Sequence, residues 1–154
     1  MQRADELRAA VEEYLDRLQL SPELGGLEEA VRYALEGGGK RIRPVLCLAT
    51  AEAAGGAVEE AMPAAAALEL IHSFSLVHDD LPALDDDEER RGRPTTHVRF
   101  GEAPASLAGA ALLAEAFRLA VSVRAEMAQE LAGATLGMIG GQYLDINGGG
   151  RDRA

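Results

Sequence analysis

An all-α fold is what this sequence predicts, on three observations. Alanine and leucine dominate an apolar content of 47%, tryptophan is absent, and aromatic residues make up 4% of the 154. Strands draw on β-branched and aromatic side chains, so this composition favours closely packed helices. Apolar residues recur at helical spacing along most of the chain, no stretch reads as a strand, and proline and glycine mark the breaks between segments.

Leu7, Val11, Tyr14, Leu15 and Leu18 share one helix face, which predicts a first helix from about 3 to 19. Ser21-Pro22 reads as a cap with proline at the first helical position, opening a second helix that carries Leu27, Val31, Tyr33, Ala34 and Leu35. Gly37-Gly38-Gly39 stops it. Pro44 falls in the first turn of a third helix that ends at Gly55-Gly56. A long fourth helix runs from about Glu59 to Asp80, with Pro63 near its start. An acidic loop follows, and Gly92 to Gly101 reads as irregular. Pro104 opens a fifth helix, and Met127 to about Asp145 forms a sixth. Gly137, Gly140 and Gly141 lie inside that last helix, where each costs roughly 1 kcal/mol relative to alanine. Close helix packing is the expected compensation. The tail from 148 to 154 reads as disordered. With neither repeat nor linker, the expectation is a single domain of antiparallel helices joined by short loops.

A net charge of −11 makes nucleic acid and anionic membrane poor partners for the surface as a whole. Cys47 is the lone cysteine, lies in an apolar run, and fits a reducing cytoplasm. The N-terminal segment is amphipathic and acidic, without the apolar stretch of a signal peptide, and no run reads as long enough to span a bilayer. The reading is a soluble cytoplasmic protein.

The segment HDDLPALDDDEERRG, from His78 to Gly92, sets Asp79, Asp80, Asp85, Asp86 and Asp87 just ahead of Arg90 and Arg91. Crowded carboxylates repel one another, divalent cations remove that repulsion, and neighbouring arginines suit the oxygens of a polyanion bridging the metals. The pattern points to a hard-metal site for a diphosphate; a solvated acidic loop is the alternative. An apolar helical run leads into the cluster, Pro82 interrupts it, and the charge sign then switches abruptly. All three weigh toward the site. The other unusual segment, Gly37-Gly38-Gly39-Lys40-Arg41-Ile42-Arg43-Pro44, places three cations beside glycines at a helix start. Lys40 and Arg43, at i and i+3, can share a helix face and bind an anion. A glycine cap followed by solvated cations fits equally. The spacing is not that of a P-loop.

GGGKRIRP at 37–44, HSFSLVHDDLPALDDDEERRGRPTTH at 72–97, FGEAPASLAGAALL at 100–113 and GGQYLD at 140–145 together resemble the polyprenyl diphosphate synthases, the head-to-tail trans-prenyltransferases. The two extra residues between the Asp pairs resemble the bacterial and plastid pattern. The resemblance implies the all-α antiparallel bundle of the isoprenoid (terpenoid) synthases, with residues 1–147 as its N-terminal portion. It implies Mg²⁺ held by Asp79 and Asp85, with Asp80 and Asp86 in support, and Arg90 on the allylic diphosphate. Lys40, Arg43, His72 and Arg91 match the positions that hold isopentenyl diphosphate. Gln142 and Asp145 match a helix facing the reaction centre. His72 also fits a core hydrogen-bonding role, and His78 and His97 fall outside the expected site.

By the same resemblance, an allylic diphosphate (dimethylallyl or geranyl) condenses with isopentenyl diphosphate, and the enzyme is a homodimer. The residues before Asp79 then form the floor of the product tunnel. The aromatic Phe74 implies farnesyl diphosphate, while the small Ser75 beside it favours a longer product. Geranylgeranyl diphosphate is the alternative should Phe74 rotate aside, and a plain core role for Phe74 is a third reading. Two departures stand out. Ala110 replaces an aspartate that many relatives carry, and the chain ends before the family's second motif, DDxxD, so its C-terminal half is expected to be absent. A fragment, a truncated reading frame, a proteolysed product and one part of a split enzyme all fit. The competing functions are a non-catalytic subunit of a heteromeric synthase, which would be expected to lose the acidic motif, and an acidic Ca²⁺-binding protein, for which EF-hand spacing is lacking.

Overall fold

The computed structural model describes residues 2–148, and it is helical almost throughout. Helix α1, Gln2–Arg17, buries Leu7, Val11 and Leu15 on one stripe, with Tyr14 partly covered. The expected second helix is split. Pro22–Leu27 forms 3₁₀ turns broken at Gly25 (φ 50°, ψ −129°), and α2 begins only at Glu28 and runs to Leu35. Ser21 caps the 3₁₀ segment, as its hydroxyl accepts from the Glu23 amide at 3.4 Å. Helix α3, Ile42–Ala53, carries Pro44 in its first turn and buries Leu48.

Helix α4, Val58–Asp79, is the spine of the molecule. Ala64, Ala65, Ala66, Ala67, Leu70, Ile71, Phe74 and Val77 are all buried, so it is apolar nearly all round, as a central helix must be. Its main partner is α6, Glu102–Val123, which buries Ala105, Ala108, Gly109, Leu112 and Ala116. Small residues on both helices let the backbones approach closely. α1 and α3 pack on α4 elsewhere, and α7, Ala125–Ile146, folds back on α6 after the single residue Arg124.

Three expectations need correction. The stretch after the acidic loop is not wholly irregular. Glu89–Arg90 (β1) and Arg93–Pro94 (β2) pair antiparallel, and Thr96–Phe100 forms a short helix, α5. The pairing follows from the two residues between the strands: Arg91 (φ 54°) and Gly92 (φ 76°) both take the left-handed backbone that a two-residue hairpin turn needs. Next, Gly137, Gly140 and Gly141 do not compensate by close packing, because no neighbouring atom lies within 4 Å of where a Cβ would stand. Lastly, α6 is long and apolar enough to cross a membrane by length and composition. Its burial against α4 and its buried Glu115, which accepts from the Ser21 amide at 2.7 Å, read as a core helix. The expected disordered tail lies, from residue 149 on, outside the described residues.

Candidate active site

The glycine-and-cation segment joins α2 to α3. Gly38 (φ 64°) and Gly39 (φ 150°) turn the chain, and Arg41 (φ 47°) caps α3 in the left-handed region, at a cost of about 1 kcal/mol. The Arg41 side chain offsets this. It is buried and donates to both Glu12 oxygens at 2.8 and 3.1 Å, to Glu69 at 2.6 Å and to the Leu35 carbonyl at 2.8 Å. Of the three cations, only Lys40 and Arg43 are exposed. They do not share a helix face, since Lys40 precedes α3 and the turn at Arg41 separates them. They nevertheless line one cavity of about 310 Å³, together with Arg41, Glu69, His72 and Arg91.

Arg91 reaches that cavity from the tip of the hairpin. It donates to the Gly38 carbonyl, and its guanidinium fills the space that a Cβ on Gly39 would occupy. A side chain at 39 would have to displace that guanidinium, and the backbone there, at φ 150°, favours glycine. The hairpin itself is held on α2, where the Tyr33 hydroxyl donates to the Pro94 carbonyl at 2.7 Å and Arg93 stacks over the Tyr33 ring at 4.3 Å.

The acidic segment begins at the end of α4 and curls back on itself. The amides of Asp85 and Asp87 donate to the carbonyls of Asp79 and Asp80 at 2.8 and 3.2 Å. The adjacent pair splits between two directions. Asp80 is 4% exposed and takes Arg90 on both oxygens, with contacts from 2.6 to 3.1 Å. Asp79 instead lines the largest cavity, about 620 Å³, with Arg43, His72, Phe74, Ser75 and Gln142. Burial, and then the nearby charges of Asp85 and Asp80, hold the Asp79 carboxyl above its ordinary range. Burial, followed by the Arg43 charge, pushes the His72 imidazole down. It therefore sits neutral at neutral pH, a hydrogen-bonding group rather than a cation.

This donor set fits a hard divalent cation that takes much of its shell from elsewhere. Asp85 is near enough for its charge to be felt at Asp79, and the carboxylate oxygens of the two suit Mg²⁺. Among the described residues no group of three or more His, Cys, Asp or Glu side chains converges to hold a metal unaided. Asp80 is engaged by Arg90, Asp86 takes a positive φ of 55° on the exposed loop, and exposed Asp145 lines neither cavity.

One wall of the large cavity had no signal in the sequence. His78 donates through Nε2 to the Ser106 carbonyl at 3.0 Å and meets the Phe74 ring edge-on at 4.9 Å between centroids. Its imidazole lies where a Cβ on Gly109 would fall. The Phe74 ring thus has the His78 imidazole as an immediate neighbour. His97 is structural, with Nε2 2.8 Å from the Asp87 carbonyl that also accepts from the Thr95 hydroxyl.

A family model described as Polyprenyl synthetase matches residues 25–153. Geranylgeranyl diphosphate synthase of Cyanophora paradoxa is 50% identical over 135 residues, which cover 80% of this chain and 44% of that protein. Farnesyl diphosphate synthase of Geobacillus stearothermophilus is 44% identical over 156 residues, covering 94% of this chain and 52% of its own. Among solved structures, an FPP/GFPP synthase from Zymomonas mobilis superposes with a TM-score of 0.79 at 41% identity, over 95% of this chain and 55% of that one. The chain thus spans about half the length of the curated relatives it matches. With the motif order, the all-helical fold and the family match in agreement, this chain belongs to the polyprenyl synthetase family.

Proposed function

We propose that this chain forms the substrate-binding wall of a prenyltransferase that condenses an allylic diphosphate with isopentenyl diphosphate. One observation carries the reading. The acid-bearing cavity and the cationic cavity share Arg43 and His72, so two diphosphates bound there would lie side by side. The allylic substrate takes the larger cavity, with its diphosphate toward Asp79, Asp85 and Arg90 and its tail toward Phe74 and Ser75. Isopentenyl diphosphate takes the smaller one, on Lys40, Arg43, His72 and Arg91. Gln142 faces the allylic substrate from α7.

Asp79 and Asp85 would hold Mg²⁺, which when bound neutralises the diphosphate and eases its departure. The C–O bond of the allylic substrate breaks with both electrons leaving on the diphosphate. The double bond of isopentenyl diphosphate attacks the carbocation, and a proton passes to the released diphosphate. The cations of the smaller cavity hold the attacking partner in place. Leu76, Leu84, Met138 and Ile139 line the larger cavity and exclude water from the cation. No protein nucleophile is needed.

Farnesyl diphosphate is the proposed product, on the reading that the Phe74 ring, which lines the larger cavity edge-on to His78, limits the length of the tail. Geranylgeranyl diphosphate is the second reading, favoured by the 50% identity to a protein named for that product. A homodimer and a cytoplasmic setting complete the proposal; the lone Cys47 needs no oxidising compartment. Calorimetry with geranyl diphosphate tests the core of it. Binding should be markedly tighter in Mg²⁺ than in EDTA, and equal affinity in the two refutes the metal-bridged site.

A further inference from the structure

Arg41 stands between Lys40 and Arg43, yet its chemistry differs from theirs. Two carboxylates, Glu12 from α1 and Glu69 from α4, face its one guanidinium. Its charge is already matched, so it offers no net positive potential to a polyanion. Its backbone, at φ 47° and ψ 38°, is the point where the chain turns into α3. A planar fork tied at once to α1, α4 and the Leu35 carbonyl fixes the direction in which the residues on either side leave.

We infer that Arg41 is a positioning residue for diphosphate binding: its fork on Glu12 and Glu69 aims Lys40 and Arg43 into the 310 Å³ cavity, while its own charge, at the wall of that cavity beside Glu69, is already matched by two carboxylates. The inference rests on the reading above, that this cavity takes a diphosphate. A lysine at 41 would keep the charge but not the fork. A point charge on a flexible stem cannot hold three partners in one plane. The flanking cations would then be as numerous and no longer aimed.

The probe is inorganic pyrophosphate in EDTA, titrated into the unaltered chain by calorimetry, with the thermal midpoint measured in parallel. Arg41→Lys should weaken pyrophosphate binding by about tenfold or more in protein that remains helical by circular dichroism. A purely structural role would lower the midpoint and leave the Kd of the folded protein unchanged, and that result overturns the inference. Should Arg41→Lys fail to fold, Glu12→Gln loosens only the outer grip of the fork. It should weaken binding by about threefold, and an unchanged Kd overturns the inference equally. Lys40→Ala separates the two levels. No pyrophosphate binding by the unaltered chain, or binding that Lys40→Ala leaves intact, defeats the diphosphate reading and the inference with it. Binding weakened by Lys40→Ala but not by the changes at 41 or 12 defeats the inference alone.

Discussion

Asp79 sits in the folded protein at a disadvantage to itself. Burial and two neighbouring acids raise its pKa above the ordinary 3.8, so keeping it ionised costs stability at neutral pH. That cost is full above the raised folded value, shrinks as pH falls through it, and vanishes below about 3.8. Asp79→Asn should therefore raise the thermal midpoint at pH 7 by roughly 1–3 °C, a small figure because the group is partly solvated. The gain should shrink as pH falls and be gone about a unit below 3.8, where both states are protonated. A midpoint unchanged or lowered at pH 7 would show that the crowding carries no penalty. The same variant should lose the advantage that Mg²⁺ gives to diphosphate binding. Gly109 makes a different kind of demand. The His78 ring occupies the space where a Cβ would go, so Gly109→Ala must displace His78. Overpacking of this sort costs about 1–3 kcal/mol. Urea unfolding measures it, and a neutral substitution would mean that the ring has room to move.

At the scale of elements, the long apolar runs made α4 and α6 legible in the sequence, and Pro44 and Gly55-Gly56 bracketed α3 within a few residues. The hairpin was not legible. Strands of two residues have no periodicity to detect, and only the turn pair Arg91-Gly92 hints at them. The break at Gly25 was missed because the Ser21-Pro22 cap is equally good for a 3₁₀ start and an α-helical one. The apolar pattern marks α7 to within a few residues of its ends, but carries no sign of what surrounds its glycines. Nothing stands within 4 Å of a Cβ at Gly137 or Gly140, so alanine there meets no obstacle. Gly137→Ala and Gly140→Ala should each stabilise the chain by up to about 1 kcal/mol, by removing backbone freedom from the unfolded state. Denaturant titration followed by circular dichroism reads this. A loss of stability would show that the glycines serve a contact made in solution.

Across the whole molecule, α7 presents an apolar face to water. Leu136 is 69% exposed, Tyr143 65% and Ile146 58%, all on one long helix. Contiguous patches of this kind drive association. Light scattering should find a dimer or a larger species whose population grows with concentration, and a monomer at every concentration would count against it. The site was legible where chemistry is contiguous in sequence, as in the acids and arginines from 79 to 91. It was illegible where a side chain's fate depends on a distant partner. Arg41 looks like one more surface cation until Glu69, 28 residues away, is folded against it. His78 likewise needs Ser106, also 28 residues on, before its role as a wall is visible.

Arg43 and His72 line both cavities, and that sharing has a thermodynamic consequence. Whatever fills one cavity changes the field felt in the other, and the effect is reciprocal by necessity. A first polyanion neutralises the common arginine and leaves less attraction for a second. Occupancy of the two pockets is then anticorrelated unless a cation enters with one of them. Arg43, by belonging to both sides, ties the filling of one pocket to the filling of the other.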